Sequence, residues 1–94
     1  MPEDRKSRDT RAYVMIDTEP ELTGNVVQVL RRRKDIPLAD AVNGPHGAIA
    51  VVEGTDAAAV ATTILVNIRK IEGVKDITVY LAMPHEENVA PVAE

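Results

Sequence analysis

Two short runs of the chain are apolar on both of their faces, and this constrains the fold more than any other feature of the sequence. The runs are 11–18 (RAYVMIDT) and 48–53 (AIAVVE). Strand-forming residues of this kind at successive positions indicate strands buried on both sides. In the first run, alternation places Ala12, Val14 and Ile16 on one face and Tyr13 and Met15 on the other. We therefore expect these runs to be central strands of one sheet.

Two other stretches show the spacing of amphipathic helices. The first is predicted over 19–34, with Thr18 as a candidate cap and a basic run, 31–34, in its last turn. The second is predicted from Thr55 or Asp56 to about residue 71. The expected buried positions are Leu22, Val26, Val29 and Leu30 in the first helix and Val60, Ala61, Ile64, Leu65 and Ile68 in the second.

Two further strands complete the pattern, at 36–43 and 74–82. The segment 44–47 (GPHG) is the strongest turn signal in the chain and predicts a hairpin between the second and third strands. In the second strand, Ile36, Leu38 and Val42 are expected to share a face. The element order is then β-α-β-β-α-β, which is typical of the α+β ferredoxin-like fold.

Right-handed crossovers in this fold give a four-stranded antiparallel sheet of order 4-1-3-2, with both helices on one face. Two helices cover only one side of such a sheet, so Tyr13, Met15, Ile49 and Val51 would be exposed on the other side. Exposed apolar patches usually mark an interface. We therefore expect a homodimer packed sheet to sheet, of the dimeric α+β barrel type.

The length and charge of the chain limit its organisation and its partners. Its 94 residues suit one domain, predicted over 11–82 between a flexible segment, 1–10, and a flexible acidic tail, 83–94. A formal net charge of −4 argues against direct binding of nucleic acid. The chain has no cysteine, no apolar run of membrane-helix length and no apolar N-terminal stretch, so a cytoplasmic location is expected.

Three segments together resemble the ligand-binding domain, or RAM domain, of the Lrp/AsnC family of transcription regulators. They are 11–16 (RAYVMI), 43–54 (NGPHGAIAVVEG) and 68–74 (IRKIEGV). The resemblance implies a ferredoxin-like dimer that assembles into octamers or similar rings and binds an amino acid or related metabolite between dimers. Only about ten residues precede the first strand, too few for a helix-turn-helix motif. We therefore expect a stand-alone module whose candidate partners include full-length Lrp/AsnC regulators.

The resemblance also implies where the ligand lies, around the hairpin turn and near the last strand. Gly44 matches a turn glycine of the family, His46 stands where an aromatic residue is common, and Gly47 stands where an Asp is frequent. That Asp would be a natural partner for a ligand amine, so its absence leaves a different ligand or a vestigial pocket open. The expected ligand-binding residues are Asn43, Gly44, Pro45, His46, Gly47, Thr78 and Tyr80.

Other candidate sites have simpler interpretations. His46 is favoured as a solvated turn residue, and the cluster His85, Glu86 and Glu87 as part of an acidic tail rather than a metal site. The basic run 31–34 is favoured as a solvated helix end. No catalytic set, metal site or cofactor motif is recognisable. The alternatives to an effector-binding module are an assembly partner with a vestigial pocket, a small dimeric α+β-barrel enzyme and an ACT-type amino-acid-binding module.

Overall fold

The structure is a computed structural model that describes residues 10–83, and it has the predicted order of elements. The elements are β1 (Thr10–Thr18), a 3-10 turn (Pro20–Leu22), α1 (Thr23–Arg31), β2 (Leu38–Ala41), β3 (Gly47–Gly54), α2 (Ala57–Thr62) continued by a π-helical segment (Thr63–Ile68), and β4 (Val74–Leu81). The strands form one antiparallel sheet of order β2-β3-β1-β4. The ferredoxin-like α+β fold is confirmed.

The core lies between the sheet and the two helices. The strands contribute small and β-branched side chains, and the helices contribute larger ones. Fully or nearly fully buried are Ala12, Val14 and Ile16 of β1, Ala48, Ala50 and Val52 of β3, and Val26, Leu30, Val60, Ile64 and Ile68 of the helices. Each buried Val, Leu or Ile contributes about 1.5–3 kcal/mol relative to an exposed position. The predicted division of the two faces of β1 is confirmed.

The first helix begins and ends differently from the prediction. Thr18 does not cap it, because Thr18 is the last residue of β1 and its hydroxyl lies 2.6 Å from the Thr23 hydroxyl. A 3-10 turn with Pro20 at its start comes first, and regular α-helix runs only from Thr23 to Arg31. Of the predicted stripe, Val26 and Leu30 are buried, whereas Leu22 and Val29 are half-buried. Because the helix ends at Arg31, residues 32–34 of the basic run follow it instead of forming its last turn.

The second strand is shorter than predicted, and its side chains do not share one face. Ile36 is 3% exposed in the core, whereas Leu38 is 44% exposed and pairs with Val51 on the opposite face. Pro37 lies between them and the strand starts only after it. The expected alternation therefore does not extend back to Ile36, and the predicted common face was wrong.

The second helix starts as predicted but changes its geometry halfway. Asp56 caps it, because its carboxylate accepts a hydrogen bond of 2.8 Å from the backbone N–H of Ala59. From Thr63 the helix is a π-helix, with i→i+5 bonding such as Arg69 N–H to the Ile64 carbonyl. The wider turn carries Leu65 outward, to 56% exposure. The predicted burial of Leu65 and of Ala61 was wrong; Ala61 is already exposed in the α-helical part, before the geometry changes.

The flanking segments predicted at 1–10 and 83–94 lie almost wholly outside the described residues, as does the cluster His85, Glu86 and Glu87. Their character therefore stays a prediction. Between residues 10 and 83, no helix has the length and apolar character needed to cross a membrane.

Candidate functional site

The sheet face that the helices leave uncovered carries two rows of side chains across all four strands, and we call it the open face. One row is Leu38, Val51, Tyr13 and Tyr80 in register, and the next is Asp40, Ile49, Met15 and Thr78. Neighbours in such a row have Cβ atoms about 4.5–5.5 Å apart. The first row is apolar or aromatic at every strand, and it forms the centre of the open face.

The open face exposes much of this apolar surface in the single chain. Tyr13 is 37% exposed, Leu38 44% and Tyr80 58%, while Ile49 and Val51 are half-buried. The structure therefore brings together the residues that the sequence assigned to a dimer interface, namely Tyr13, Met15, Ile49 and Val51. Leu38 belongs with them, and the sequence missed it because it was expected to lie beside Ile36. That this face is an interface stays a prediction.

Charged groups border the open face at both of its ends. At one end, Arg11 lies opposite Glu53 in register, and a guanidinium N–H donates to the carboxylate at 3.1 Å. At the other end, the next row consists of Gly47, Asp17 and Asp76. Two carboxylates opposite each other repel at close range. A cation or a hydrogen-bond donor at that end would relieve this repulsion.

The β2–β3 turn is fixed to that second end of the open face by backbone hydrogen bonds. The Thr18 N–H donates to the His46 carbonyl at 3.2 Å, and the Val42 N–H donates to the Gly47 carbonyl at 2.9 Å. The first bond joins the turn to the end of β1, and the second closes the hairpin. His46 is therefore held at the end of β1 and is not free to swing with a mobile loop.

The side chain of His46 has a specific partner in Asp17. The Nδ1 atom of His46 lies 2.6 Å from Oδ1 of Asp17, and the two side chains are 37% and 42% exposed. A carboxylate oxygen accepts, so the tautomer that makes this hydrogen bond is the one with the hydrogen on Nδ1. The sequence alone favours a solvated turn residue at His46 and gives no indication that Asp17 is its partner. The one sequence feature that could have pointed to Asp17 is its position at the end of a central strand, beside the predicted turn.

Gly47 is a glycine for two independent reasons. Its φ is +116°, a conformation that costs about 1–3 kcal/mol for a residue with a side chain. A Cβ atom there would also overlap Oγ1 of Thr18. Thr18 is 9% exposed and its hydroxyl is held by Thr23, so it has little room to move. The Asp that the sequence resemblance implies at this position would therefore not fit this turn without distortion.

Asp17 places a carboxylate beside the glycine instead. It lies directly opposite Gly47 in the β1–β3 register. One carboxylate oxygen receives the His46 hydrogen bond, and the side chain stays about two-fifths exposed, at 42%. An acidic side chain therefore lies beside the turn, and it belongs to β1 rather than to the turn itself.

The remaining predicted ligand residues differ in their distance from Asp17. Asn43, Gly44 and Pro45 are exposed in the turn. Thr78 is opposite Met15, two residues from Asp17 on the same face, whereas Tyr80 is opposite Tyr13, four residues away. Four residues of strand span about 13 Å. Thr78 therefore borders the turn, while Tyr80 belongs to the centre of the open face, and the binding roles of all five stay predictions.

A second carboxylate, Asp35, has a structural role below the sheet. It accepts two hydrogen bonds of 3.0 Å from Arg33 and one of 2.9 Å from the Thr63 hydroxyl, and its backbone carbonyl accepts from the Glu53 N–H at 2.8 Å. Burial alone would raise the pKa of Asp35, but the hydrogen bonds from Arg33 and Thr63 outweigh it, and the pKa lies below its ordinary value of 3.8. Among residues 10–83, no group of three or more His, Cys, Asp or Glu residues is arranged to hold a metal ion.

Known structures share this fold. No protein-family model matches the sequence, and no curated protein matches it. FFRP-DM1 is 20% identical, with a TM-score of 0.75 over 79% of this chain and 99% of that protein. E. coli AsnC is 12% identical, with a TM-score of 0.78 over 100% of this chain and 60% of AsnC. The transcriptional regulator NMB0573 from Neisseria meningitidis, in complex with L-Met, is 15% identical, with a TM-score of 0.76 over 90% of this chain and 56% of the regulator.

These structural similarities establish the fold of the domain. The chain shares its ferredoxin-like fold with FFRP-DM1, AsnC and NMB0573, which confirms the fold that the sequence resemblance implied. It spans nearly the full length of FFRP-DM1 but little more than half of NMB0573 and AsnC.

Proposed function

We propose that this chain is an oligomeric effector-binding module of the Lrp/AsnC type that binds an amino acid or a related amine-bearing metabolite. The observation that carries the proposal is the Asp17–His46 pair, which is fixed at the hairpin turn where the open face ends. The similar fold of a regulator crystallised with L-Met supports it. The proposal excludes catalysis as the role of this domain, in keeping with the regulators among the structures that share its fold.

The open face supports self-association. A row of Leu38, Val51, Tyr13 and Tyr80 in water is unfavourable by about 25 cal/mol for each Å² of apolar surface. Because the helices cannot reach this face, a second copy of the sheet is the simplest cover. A two-fold axis would bring the same apolar rows of both copies together. The dimer then assembles into a larger ring in which the turns meet.

The carboxylate of Asp17 supports recognition of an amine. In the proposed complex, the exposed side of that carboxylate accepts hydrogen bonds from the ligand ammonium, while His46 orients it from the other side. Charge-assisted hydrogen bonds of this kind are worth roughly twice a neutral one. In the proposed complex, the hydroxyl of Thr78 and the backbone of the turn at Gly44 are the groups that bind the ligand carboxylate.

The mechanism would be a shift of population between assemblies. A ligand that binds at the seam between dimers favours whichever assembly has the complete site. The shift is limited by the difference in affinity between the two assemblies, and a hundredfold difference gives about 2.7 kcal/mol. The responding partner would be a full-length regulator that incorporates this module in a mixed ring.

Calorimetry and analytical ultracentrifugation of the full chain test the proposal. The twenty amino acids, L-Met among them, and their deaminated analogues are the probes. We expect at least one amino acid to bind and to change the distribution of oligomers, and its deaminated analogue not to bind. Asp17→Asn should abolish binding while leaving the fold intact. Asp40→Asn is the matched control, because Asp40 also lies on the open face and its carboxylate is already paired with Arg31 at 2.8 Å.

Two results would contradict the effector function. One is the absence of heat and of any change in assembly with every amino acid and analogue. The other is equal binding by the wild type and Asp17→Asn, which would remove the carboxylate from the site. Equal loss in Asp40→Asn would show that charge on the open face, rather than the pair at the turn, is responsible.

A second candidate function is an assembly partner with a vestigial pocket. It is favoured by the geometry of Gly47, which leaves the turn without a side chain where an Asp is frequent in the family. This function predicts co-purification with a full-length Lrp/AsnC regulator in the absence of any amino acid. A purely homo-oligomeric protein in its native cell would count against it.

A further inference from the structure

Among residues 10–83, the buried polar side chains are those of Thr18 and Thr63, which are 9% and 7% exposed. The Thr63 hydroxyl donates to Asp35 at 2.9 Å, and the Thr18 hydroxyl lies 2.6 Å from that of Thr23. A buried hydroxyl is unfavourable without such a partner. The two contacts differ in position, because the Thr18 contact lies beside the candidate site and the Thr63 contact lies below the other end of the sheet.

Thr18 contacts the β2–β3 turn through its backbone and through its side chain. Its N–H donates to the His46 carbonyl at 3.2 Å. Its hydroxyl lies so close to Gly47 that a Cβ atom on that glycine would overlap it. The turn is therefore packed against Thr18, and a displacement of Thr18 would move His46 and Gly47 as well.

The Thr18 hydroxyl is held in place by the start of α1. Thr23 is the first residue of that helix and is half-buried, and its own hydroxyl donates to the Glu19 carbonyl at 3.4 Å. A hydroxyl carries one hydrogen, so Thr18 is the donor to Thr23 when Thr23 donates to Glu19. A directed chain of hydrogen bonds thus joins Thr18 to the beginning of the first helix.

The start of the first helix is also joined to the segment before β4. The Glu19 N–H donates to the Gly73 carbonyl at 2.8 Å, and the amide of Asn25 donates to the Glu72 carbonyl at 3.4 Å. A Cβ atom on Gly73 would lie 2.7 Å from Cβ of Leu22, so the two segments are in close contact. A shift at the start of α1 would therefore reach the turn through Thr18.

Thr18 and Asp17 lie on opposite faces of the sheet because successive side chains of a strand alternate. Asp17 lies on the open face, where its carboxylate is 2.6 Å from Nδ1 of His46, whereas Thr18 is buried on the helix side. Thr18 is joined to Asp17 by a peptide bond and to His46 by a backbone hydrogen bond. One residue on the helix side thus adjoins both members of the Asp17–His46 pair.

We propose that the hydroxyl pair of Thr18 and Thr23 positions the Asp17–His46 pair and couples it to the start of the first helix. Both threonines are positioning residues, because they act through the turn and the end of β1 and not by contact with a ligand. Their effect on ligand affinity rests on the proposed effector function, whereas their effect on His46 does not. Coupling between two sites is reciprocal, so a ligand bound at Asp17 would also change the environment of Thr23.

Nitrogen NMR of the full chain, labelled at histidine and recorded at a pH where the imidazole is neutral, tests the positioning without a ligand. The shifts report which ring nitrogen carries the hydrogen, and we expect Nδ1 in the wild type. Thr18→Val and Thr23→Val keep the shape of the side chain but remove a hydroxyl. Each should displace the turn from Asp17 and move hydrogen toward Nε2, whereas Thr23→Ser should keep the wild-type shifts.

Thr63→Val is the matched control. It removes a hydroxyl that is equally buried and hydrogen-bonded, at 2.9 Å to Asp35, but does not adjoin the turn. It should lower the stability in urea and leave the His46 shifts unchanged. A purely structural role of Thr18 would give the same result in Thr18→Val, so the histidine shifts separate the two roles.

Calorimetry with an amino acid that binds the wild type gives a second readout. Thr18→Val and Thr23→Val should each weaken binding about fivefold, the factor that corresponds to one net hydrogen bond, and the double variant should weaken it no further because both changes remove the same contact. If no amino acid binds the wild type, the effector function fails and the histidine shifts alone decide the positioning.

Unchanged His46 shifts in Thr23→Val would overturn the proposal, even if that variant is less stable than the wild type. Shifts in Thr63→Val or in Thr23→Ser as large as those in Thr23→Val would also overturn it. Thr23 is half-buried, so its two variants decide the question if Thr18→Val does not fold.

Discussion

Replacing Gly47 with alanine tests how the hairpin turn and the end of β1 determine each other. Gly47 has a φ of +116°, and a Cβ atom there would overlap Oγ1 of Thr18. Thr18 cannot easily retreat, because it is 9% exposed and its hydroxyl lies 2.6 Å from that of Thr23. A single methyl group should therefore strain the backbone and displace a buried side chain at once.

The two costs can be estimated separately. The backbone conformation costs about 1–3 kcal/mol with a side chain present. The overlap with a packed neighbour costs a further 1–3 kcal/mol, roughly. The free energy of unfolding should thus fall by about 2–6 kcal/mol, a large part of the 5–15 kcal/mol that is usual for a domain. Gly47→Asp should cost at least as much, so restoring the residue that is frequent in the family should not restore a binding site.

Urea denaturation at a fixed chain concentration measures this cost, since association would otherwise change the apparent stability. Gly44→Ala is the matched control, because its Cβ would meet nothing within 4 Å and Gly44 has no positive φ. It should change stability by less than about 0.5 kcal/mol or increase it slightly. In a Thr18→Ala background the overlap disappears, and Gly47→Ala should then cost only the backbone part.

A double-mutant cycle therefore predicts a coupling of about 1–3 kcal/mol between positions 18 and 47. Equal costs of Gly47→Ala in both backgrounds would refute the packing part of this reasoning. A cost like that of Gly44→Ala would refute both parts. Complete loss of a cooperative transition in Gly47→Ala, reversed by Thr18→Ala, would agree with the upper end of the range.

Three further predictions concern the scaffold. Asp35→Asn should destabilise the fold. Because the pKa of Asp35 is lowered in the folded state, the difference in unfolding free energy between wild type and variant should be full above the ordinary pKa of 3.8 and should vanish as the pH falls through the folded pKa. Acid titration followed by circular dichroism measures this, and a difference that grows in acid would contradict it. Asp56→Ala should lower the unfolding free energy by about 1 kcal/mol, because it removes the helix cap. Thr55→Ala is the control and should lower it little. Thermal unfolding measures both, and equal costs would contradict the assignment of the cap to Asp56. Gly73→Ala should cost more than about 2 kcal/mol, because its φ is +106° and the added Cβ would lie 2.7 Å from Cβ of Leu22. A neutral result in urea denaturation would contradict both costs.

The sheet was predictable because its signals are local and repeated. Strand β1 alternates small and branched side chains on one face with Tyr13 and Met15 on the other, and the structure keeps that division. The element order then limits the sheet to one arrangement, because crossovers are right-handed. The exposure of Leu65 was not predictable in the same way, since the change from α to π bonding at Thr63 has no signature in residue spacing.

The candidate site was predictable only in part. The turn was predicted from its glycines and its proline, whereas the binding role of Thr78 stays a prediction. Asp17 was missed, although it makes the closest side-chain contact of the site, at 2.6 Å to His46. An acidic residue at a strand end is usual in sequences and gains meaning only when another segment is placed beside it. Its partner lies 29 positions away along the chain.

The sequence by itself determined the number of layers, the order of the strands and the existence of an uncovered apolar face. These follow from periodicity and turn chemistry, which act over a few residues. Only the tertiary structure decided that Leu38 joins that face and that Asp17 stands opposite Gly47. Those outcomes depend on the register between strands, where a shift of one residue would move every side chain to the other face.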